Sequence, residues 1–194
     1  PGGKTPLTAH GFKDATTDAE TIREWWARSP SSNIGFATGP IYQDRLTSSD
    51  EMEVKDYIFV IDVDPRNGGT VPTGLPITLS AITGGGGLHF YFKTNRKDVL
   101  LRSRYDTGVD IKGAGGYVVL PPSNTSARYR WVNEGAPIAT APDWLIDACR
   151  KPDITHVVGN TYSSYNNPHD MRPGSVYNRT ANWCDILEPH GWRA

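Results

Sequence analysis

The chain has 194 residues, with 20 Lys and Arg against 21 Asp and Glu and a formal net charge of -1. That balance excludes a wholly basic nucleic-acid binder and an acidic tail, so any nucleic-acid contact must come from a local patch. With 6 Trp and 9 Tyr the chain is not disordered throughout, and Cys149 and Cys184 form neither a CxxC pair nor a disulfide framework.

One domain with an appended segment is expected at this length. The 20 Gly and 15 Pro point to broad loops around a modest core. No apolar run of about 18 residues suggests a membrane span, and no leader is evident. The two isolated cysteines make a reducing compartment the default. Because it begins at Pro1, the chain reads as a domain cut from a longer polypeptide.

A turn-rich opening leads to a helix predicted to start near Thr17, where Thr17-Asp18-Ala19-Glu20 has capping-box spacing. Ile22, Trp25 and Trp26 fall on one face of that helix, and the indoles are expected in the core. Asn33–Gly39 reads as a short strand, residues 43–56 as an acidic polar loop, and Tyr57–Val63 as a β-rich run. Further strands are predicted at Pro76–Ile82, Leu88–Phe92, Val109–Ile111, Tyr117–Leu120 and Arg128–Val132. A helix is expected after Pro142, carrying Leu145, Ile146 and Cys149. Residues 151–173 read as a linker or ordered loop, and a last amphipathic helix is expected within 174–194.

Alternate side chains of a strand share a face. Asp62 and Asp64 therefore oppose Phe59, Ile61 and Val63; His89 and Tyr91 oppose Leu88, Phe90 and Phe92; Asp110 and Lys112 oppose Val109 and Ile111. If these strands share a sheet, three carboxylates, an imidazole and an ammonium converge on one surface. Such a set suits nucleotidyl transfer, in which two divalent cations held by carboxylates stabilise the attacking 3′-oxygen and the leaving pyrophosphate. Thr83 and the run Gly84–Gly87 offer backbone that can approach a triphosphate, though without the GxxxxGK[ST] pattern of a P-loop.

Each feature has an ordinary reading when taken singly. A DxD can cap a turn, four glycines can close a hairpin, His89 can be structural, and Asp110 with Lys112 can be a solvated strand face. Two other functions stay open on the residues alone. One is a metal-dependent glycosyltransferase or phosphodiesterase using Asp62 and Asp64. The other is a non-catalytic RRM-like nucleic-acid-binding module, disfavoured because ionisable groups stand where stacking aromatics would be needed.

In order along the chain, Val60-Ile61-Asp62-Val63-Asp64, Thr83–Phe92 and Val109–Ser123 closely resemble the three motifs of the bifunctional DNA primase/polymerase (prim-pol) domain of the archaeo-eukaryotic primase superfamily. Lys4-Thr5-Pro6-Leu7, His10–Thr16 and Asn33–Gly39 look like that family's lead-in. The resemblance covers residues 1–150. It implies an α/β (α+β) fold: an RRM-like catalytic sheet packed with an N-terminal α/β module, followed here by a small C-terminal helical segment at 174–194. It also implies template-directed synthesis of primers and DNA from NTPs or dNTPs with two Mg²⁺ or Mn²⁺ ions.

By position, Asp62, Asp64 and Asp110 match the metal ligands and His89 the nucleotide-binding histidine. Thr83, Gly85, Gly86, Lys112, Tyr117 and Ser123 stand where nucleotide contacts are expected. Relatives often carry Glu at the position of Asp64, and the zinc-binding cysteine cluster of some primases is absent, which leaves initiation less assured than elongation. Single-stranded template and primer are the expected partners, with Lys97, Arg102, Arg104 and Arg128 as DNA contacts. The tail from Arg172 to Trp192 resembles the segment joining such domains to a helicase in phage and mobile-element proteins, which implies a cytoplasmic, phage-, prophage- or plasmid-encoded protein.

Overall fold

Period-two alternation of apolar and polar residues organises the fold. The computed structural model describes residues 3–42, 54–96 and 101–151. The expected acidic loop (mostly 43–53), Lys97, the linker and the C-terminal helix lie outside the described residues. The strands are β1 (Ile34–Tyr42), β2 (Val54–Val63), β3 (Ser80–Ile82), β4 (Leu88–Thr94), β5 (Arg104–Asp106), β6 (Val109–Lys112), β7 (Gly116–Leu120), β8 (Arg130–Trp131) and β9 (Ala139–Thr140). Among the described residues two α-helices accompany them, α1 (Ala19–Arg28) and α2 (Asp143–Cys149).

The result is a mixed α/β fold built on one open nine-stranded sheet, in which β5, β6, β2, β4, β3 and β8 lie side by side in that order. All pairings are antiparallel except that of β9 with β4. β1 pairs with β7 through its first half and with β2 through its second. Gly39 sits at the changeover with φ +127°, where a Cβ would come within 3.0 Å of the Ala114 backbone, so only glycine suits the crossing.

The two faces of β2 serve different purposes. Phe59, Ile61 and Val63 join Phe92, Val109, Ile111, Ala141, Leu145, Ile146 and Cys149 in the main core, so α2 covers this face of the sheet. The opposite face carries a smaller core of Val60, Ala81, Tyr91 and Val118, with Trp131 packed against it. Along β2 that second face turns polar at Asp62, where the apolar layer gives way to a cavity.

Local differences from the sequence reading have physical causes. The cap of α1 is Asp18, whose carboxylate accepts from the Thr21 N–H at 2.7 Å, and not Thr17. α1 contributes no buried side chain; Trp25 and Trp26 are half-buried, since three apolar positions among charged ones lay a helix on a surface without submerging it. The strand expected from Pro76 begins only at Ser80, while β5 and β9 are too short to show a period.

Candidate active site

Register brings the polar groups together. Asp62 on β2 stands opposite His89 on β4 and opposite Asp110 on β6. Three adjacent strands thus place two carboxylates and an imidazole in one row on the face away from α2. Asp64 follows at the end of β2, where it caps the 3-10 turn Pro65–Asn67. All four line one cavity of about 510 Å³, together with Thr83, Gly87, Arg66, Asn67, Arg104, Tyr129 and Lys4.

Each carboxylate has a cationic or imidazole partner. His89 Nε2 is 3.4 Å from one oxygen of Asp62, and Lys112 Nζ is 3.7 Å from the other. Lys112 makes a closer bond to Asp110, at 2.9 Å. Arg66 grips Asp64 as a fork, donating from Nε and Nη2 at 3.1 Å each, and Asn67 Nδ2 donates at 2.9 Å. Burial opposes the charge of Asp62, but the hydrogen bond and electrostatic attraction of His89, with the positive charges of Lys112 and Lys4, outweigh it and hold its pKa below the ordinary carboxylate value. For Asp64 the Arg66 hydrogen bonds are the main cause of a similar lowering.

His89 is buried, and its Nδ1 faces the Tyr91 hydroxyl at 3.4 Å. Tyr91 is on the same face, as expected, but lies beneath His89 in the second core, where burial pushes its phenol well above the ordinary value, and does not line the cavity.

The glycine loop has structural duties as well as a position at the site. Thr83 N–H donates to the Gly87 carbonyl, and Gly87 N–H to Thr83 Oγ1, which closes the turn. A Cβ on Gly84 would lie 2.4 Å from the Ala127 carbonyl, and one on Gly85 would lie 2.6 Å from Arg66 Nη2. Gly86 adopts φ +80°. The loop is therefore pressed against 125–127 on one side and against Arg66 on the other.

The remaining expected residues are dispersed. Ser123 is a buried joint whose Oγ accepts from the Ile34 N–H at 2.8 Å. Tyr117 stacks on Phe12 with ring centroids 5.7 Å apart, and its hydroxyl donates to the Lys4 carbonyl. Arg104 is on the cavity wall, 4.0 Å from Asp110, whereas Arg102 lies over the Tyr105 ring with its N–H bonded to the Cys149 carbonyl. Arg128 is exposed in the turn that bridges to Asn124. Two further basic side chains, Lys93 and Arg96, pair with Asp56 and Asp147.

Sequence reasoning missed Arg66, Asn67, Tyr129 and, as a member of the site, Lys4. Arg66 had a local signal, a cation two residues past the second carboxylate. Lys4 and Tyr129 had none, since chain folding alone brings them in.

Three carboxylates on one cavity are hard oxygen donors of the kind divalent cations take. Among the described residues no three His, Cys, Asp or Glu side chains are grouped closely enough to hold an ion as they stand. The donor chemistry fits a divalent cation, provided Arg66 and Lys112 give up carboxylate oxygens to it.

Comparison with curated proteins and with solved structures finds no match. The family model for the bifunctional DNA primase/polymerase N-terminal domain matches residues 1–144, a span that holds all four cavity carboxylate and imidazole groups together with the lead-in. Primase/polymerase activity, a DNA template, nucleotides and divalent metal are what that family implies, and the chain belongs to the bifunctional DNA primase/polymerase (Prim-Pol) family.

Proposed function

We propose that the cavity over β2, β4 and β6 is the nucleotidyl-transfer site of a template-directed polymerase that makes primers and extends DNA. The observation that carries this reading is the single row of Asp62, His89 and Asp110 across three strands, with Asp64 beside it on the same wall.

Asp62, Asp64 and Asp110 would hold two Mg²⁺ or Mn²⁺ ions. When bound, these would supply Lewis acidity at the 3′-oxygen and the phosphates. The protein's own groups do the positioning. His89 is held through both ring nitrogens, Nε2 at Asp62 and Nδ1 at Tyr91; once Asp62 turns to a cation, Nε2–H is the donor released to the nucleotide's phosphates. Lys112 and Arg66 neutralise the carboxylates until the substrate arrives and can then turn to its phosphates, so the site need not hold three bare charges. Thr83 and the Gly84–Gly87 turn shape the wall beside them. In the transfer itself, the 3′-hydroxyl gives up its proton to water, its oxygen bonds to the α-phosphorus, the bond to the β-phosphate oxygen breaks, and pyrophosphate carries away the electron pair.

The same reading takes the sheet as the RRM-like palm of the enzyme, residues 1–150 as the catalytic domain, 151–173 as a connection and 174–194 as a helical lead to a helicase module. A phage, prophage or plasmid replication system is the setting that fits such a chain. Arg104, on the wall, and the exposed Arg128 are the template or primer contacts most consistent with their positions.

The test is extension of a labelled primer–template with dNTPs in Mg²⁺ or Mn²⁺, alongside Asp62→Ala/Asp64→Ala and a primer-free single-stranded template. Extension that vanishes in the double variant is expected. Folded wild-type protein that neither extends nor binds nucleotide would refute the reading, and turnover of a sugar nucleotide or diester without template would replace it.

A further inference from the structure

Lys4 stands apart from the other cations at the cavity. Arg66 is held by Asp64 at 3.1 Å, Lys112 by Asp110 at 2.9 Å, and Arg104 lies 4.0 Å from Asp110. Lys4 lines the same cavity, yet among the described residues no carboxylate lies within ion-pairing distance of its ammonium. The three carboxylates and the three paired cations balance in charge, which leaves Lys4 as surplus positive charge on the wall. An anion can therefore engage it without breaking an existing pair.

The backbone that carries Lys4 is fixed from outside the cavity. Tyr117 Oη donates to the Lys4 carbonyl at 3.1 Å, and Asn33 Nδ2 donates to the Gly3 carbonyl at 3.1 Å. Tyr117 is itself braced by Phe12. Both bonds use main-chain carbonyls, so the strap is anchored while the side chain stays unengaged. Lys4 lines the same cavity as Asp62 and Asp64, and its charge helps to lower the pKa of both.

We propose that Lys4 is a ligand for the phosphates of the incoming nucleoside triphosphate, presented to the cavity by a strap that Tyr117 and Asn33 clamp to the sheet. The inference rests on the nucleotidyl-transfer reading of the cavity. It also gives Tyr117 a different part from direct nucleotide contact: Tyr117 is a positioning residue that acts through Lys4. A flexible ammonium is suited to this role, because it meets a phosphate as a point charge and tolerates a moving partner.

The experiment measures binding of dATP to the 194-residue chain by calorimetry in Mg²⁺, with dAMP and a primer–template duplex as separate ligands. Lys4→Ala should weaken dATP about tenfold, the scale of one charge-assisted contact, while dAMP and DNA stay within about twofold. Lys4→Arg should restore most of the loss, and Tyr117→Phe should give a smaller loss for dATP alone. Lys4→Gln, which keeps the stem, carries the test if Lys4→Ala lowers the melting temperature. Wild-type affinity for dATP in folded Lys4→Ala, or a loss confined to DNA, overturns the proposal. Wild-type protein that binds no dATP overturns the reading of the cavity as well, so the two failures are distinct.

Discussion

Arg66 and Gly85 form a pair whose chemistry can be separated by substitution. The guanidinium fork is the main reason that Asp64 is held below the ordinary carboxylate pKa, and Gly85 gives that fork room to lie against the loop. Arg66→Ala should raise the Asp64 pKa toward the ordinary value of about 3.9, read by carboxyl-carbon NMR titration. Gly85→Ala should do the same by displacing the guanidinium, with little cost to the fold, because the group it meets is the end of a flexible side chain. Gly84→Ala meets the Ala127 carbonyl at 2.4 Å and the Tyr129 ring at 3.0 Å, neither of which yields easily. That variant should lose about 1–3 kcal/mol in chemical denaturation. Equal stability of the two glycine variants would contradict the packing described for the loop.

At the scale of elements, α2 and α1 make contrasting contributions. Leu145 of α2 has no exposed surface and sits in the main core against the apolar face of β2 and β6. Leu145→Ala should cost about 2–5 kcal/mol in denaturant unfolding. α1 buries nothing, so its cap matters more to it than its stripe. The Thr21 N–H lowers the Asp18 pKa. A carboxylate lowered in this way contributes its stability fully above the unfolded value of about 3.9 and loses it as pH falls through the lower folded value. Asp18→Asn keeps a capping oxygen without a titrating group and should flatten that part of the acid loss, whereas Asp18→Ala should lose the cap at every pH. Urea unfolding of the three proteins between pH 2 and 7 distinguishes them; parallel acid curves for wild type and Asp18→Asn would contradict the assignment.

The same scale shows what the sequence could convey. Period two told which side of each strand was polar, so Asp62, His89 and Asp110 were legible as one face, and Phe59, Ile61 and Val63 as the other. Register was not legible, because the partners of Asp62 lie 27 and 48 residues further along the chain, which no local pattern records. Trp25 and Trp26 misled for a related reason: an amphipathic stripe shows which side faces protein, not how deeply. No local pattern shows that the hydrogen bonds of Ser123 and Tyr117 hold β1 and the Lys4 strap. Lys4 itself was visible only as part of a lead-in, since its place depends on chain returning to the sheet from its far end.

For the whole molecule, the boundary of the folding unit can be argued from packing. The family match ends at residue 144, two residues into α2 and one short of the buried stretch that carries Leu145, Ile146 and Cys149. Those three side chains are part of the main core, and burial pushes the Cys149 thiol up to about 12, as befits a group sealed from water. The backbone agrees, for the Arg102 N–H donates to the Cys149 carbonyl and Leu101 bridges to Arg150. A chain cut at 144 forfeits these contacts. Losing Leu145 and Ile146 costs about 2–5 kcal/mol each, against a total stability of about 5–15 kcal/mol for a domain of this kind. A fragment ending at Lys151 keeps them all and matches the compact unit Pro1–Lys151. We therefore expect residues 1–151 to unfold cooperatively in urea and to bind dATP as the full chain does, while residues 1–144 lack a cooperative transition. A 1–144 fragment as stable as 1–151 would show that α2 is dispensable to the sheet, and a 1–151 fragment that fails to fold would show that residues beyond Lys151 complete the core.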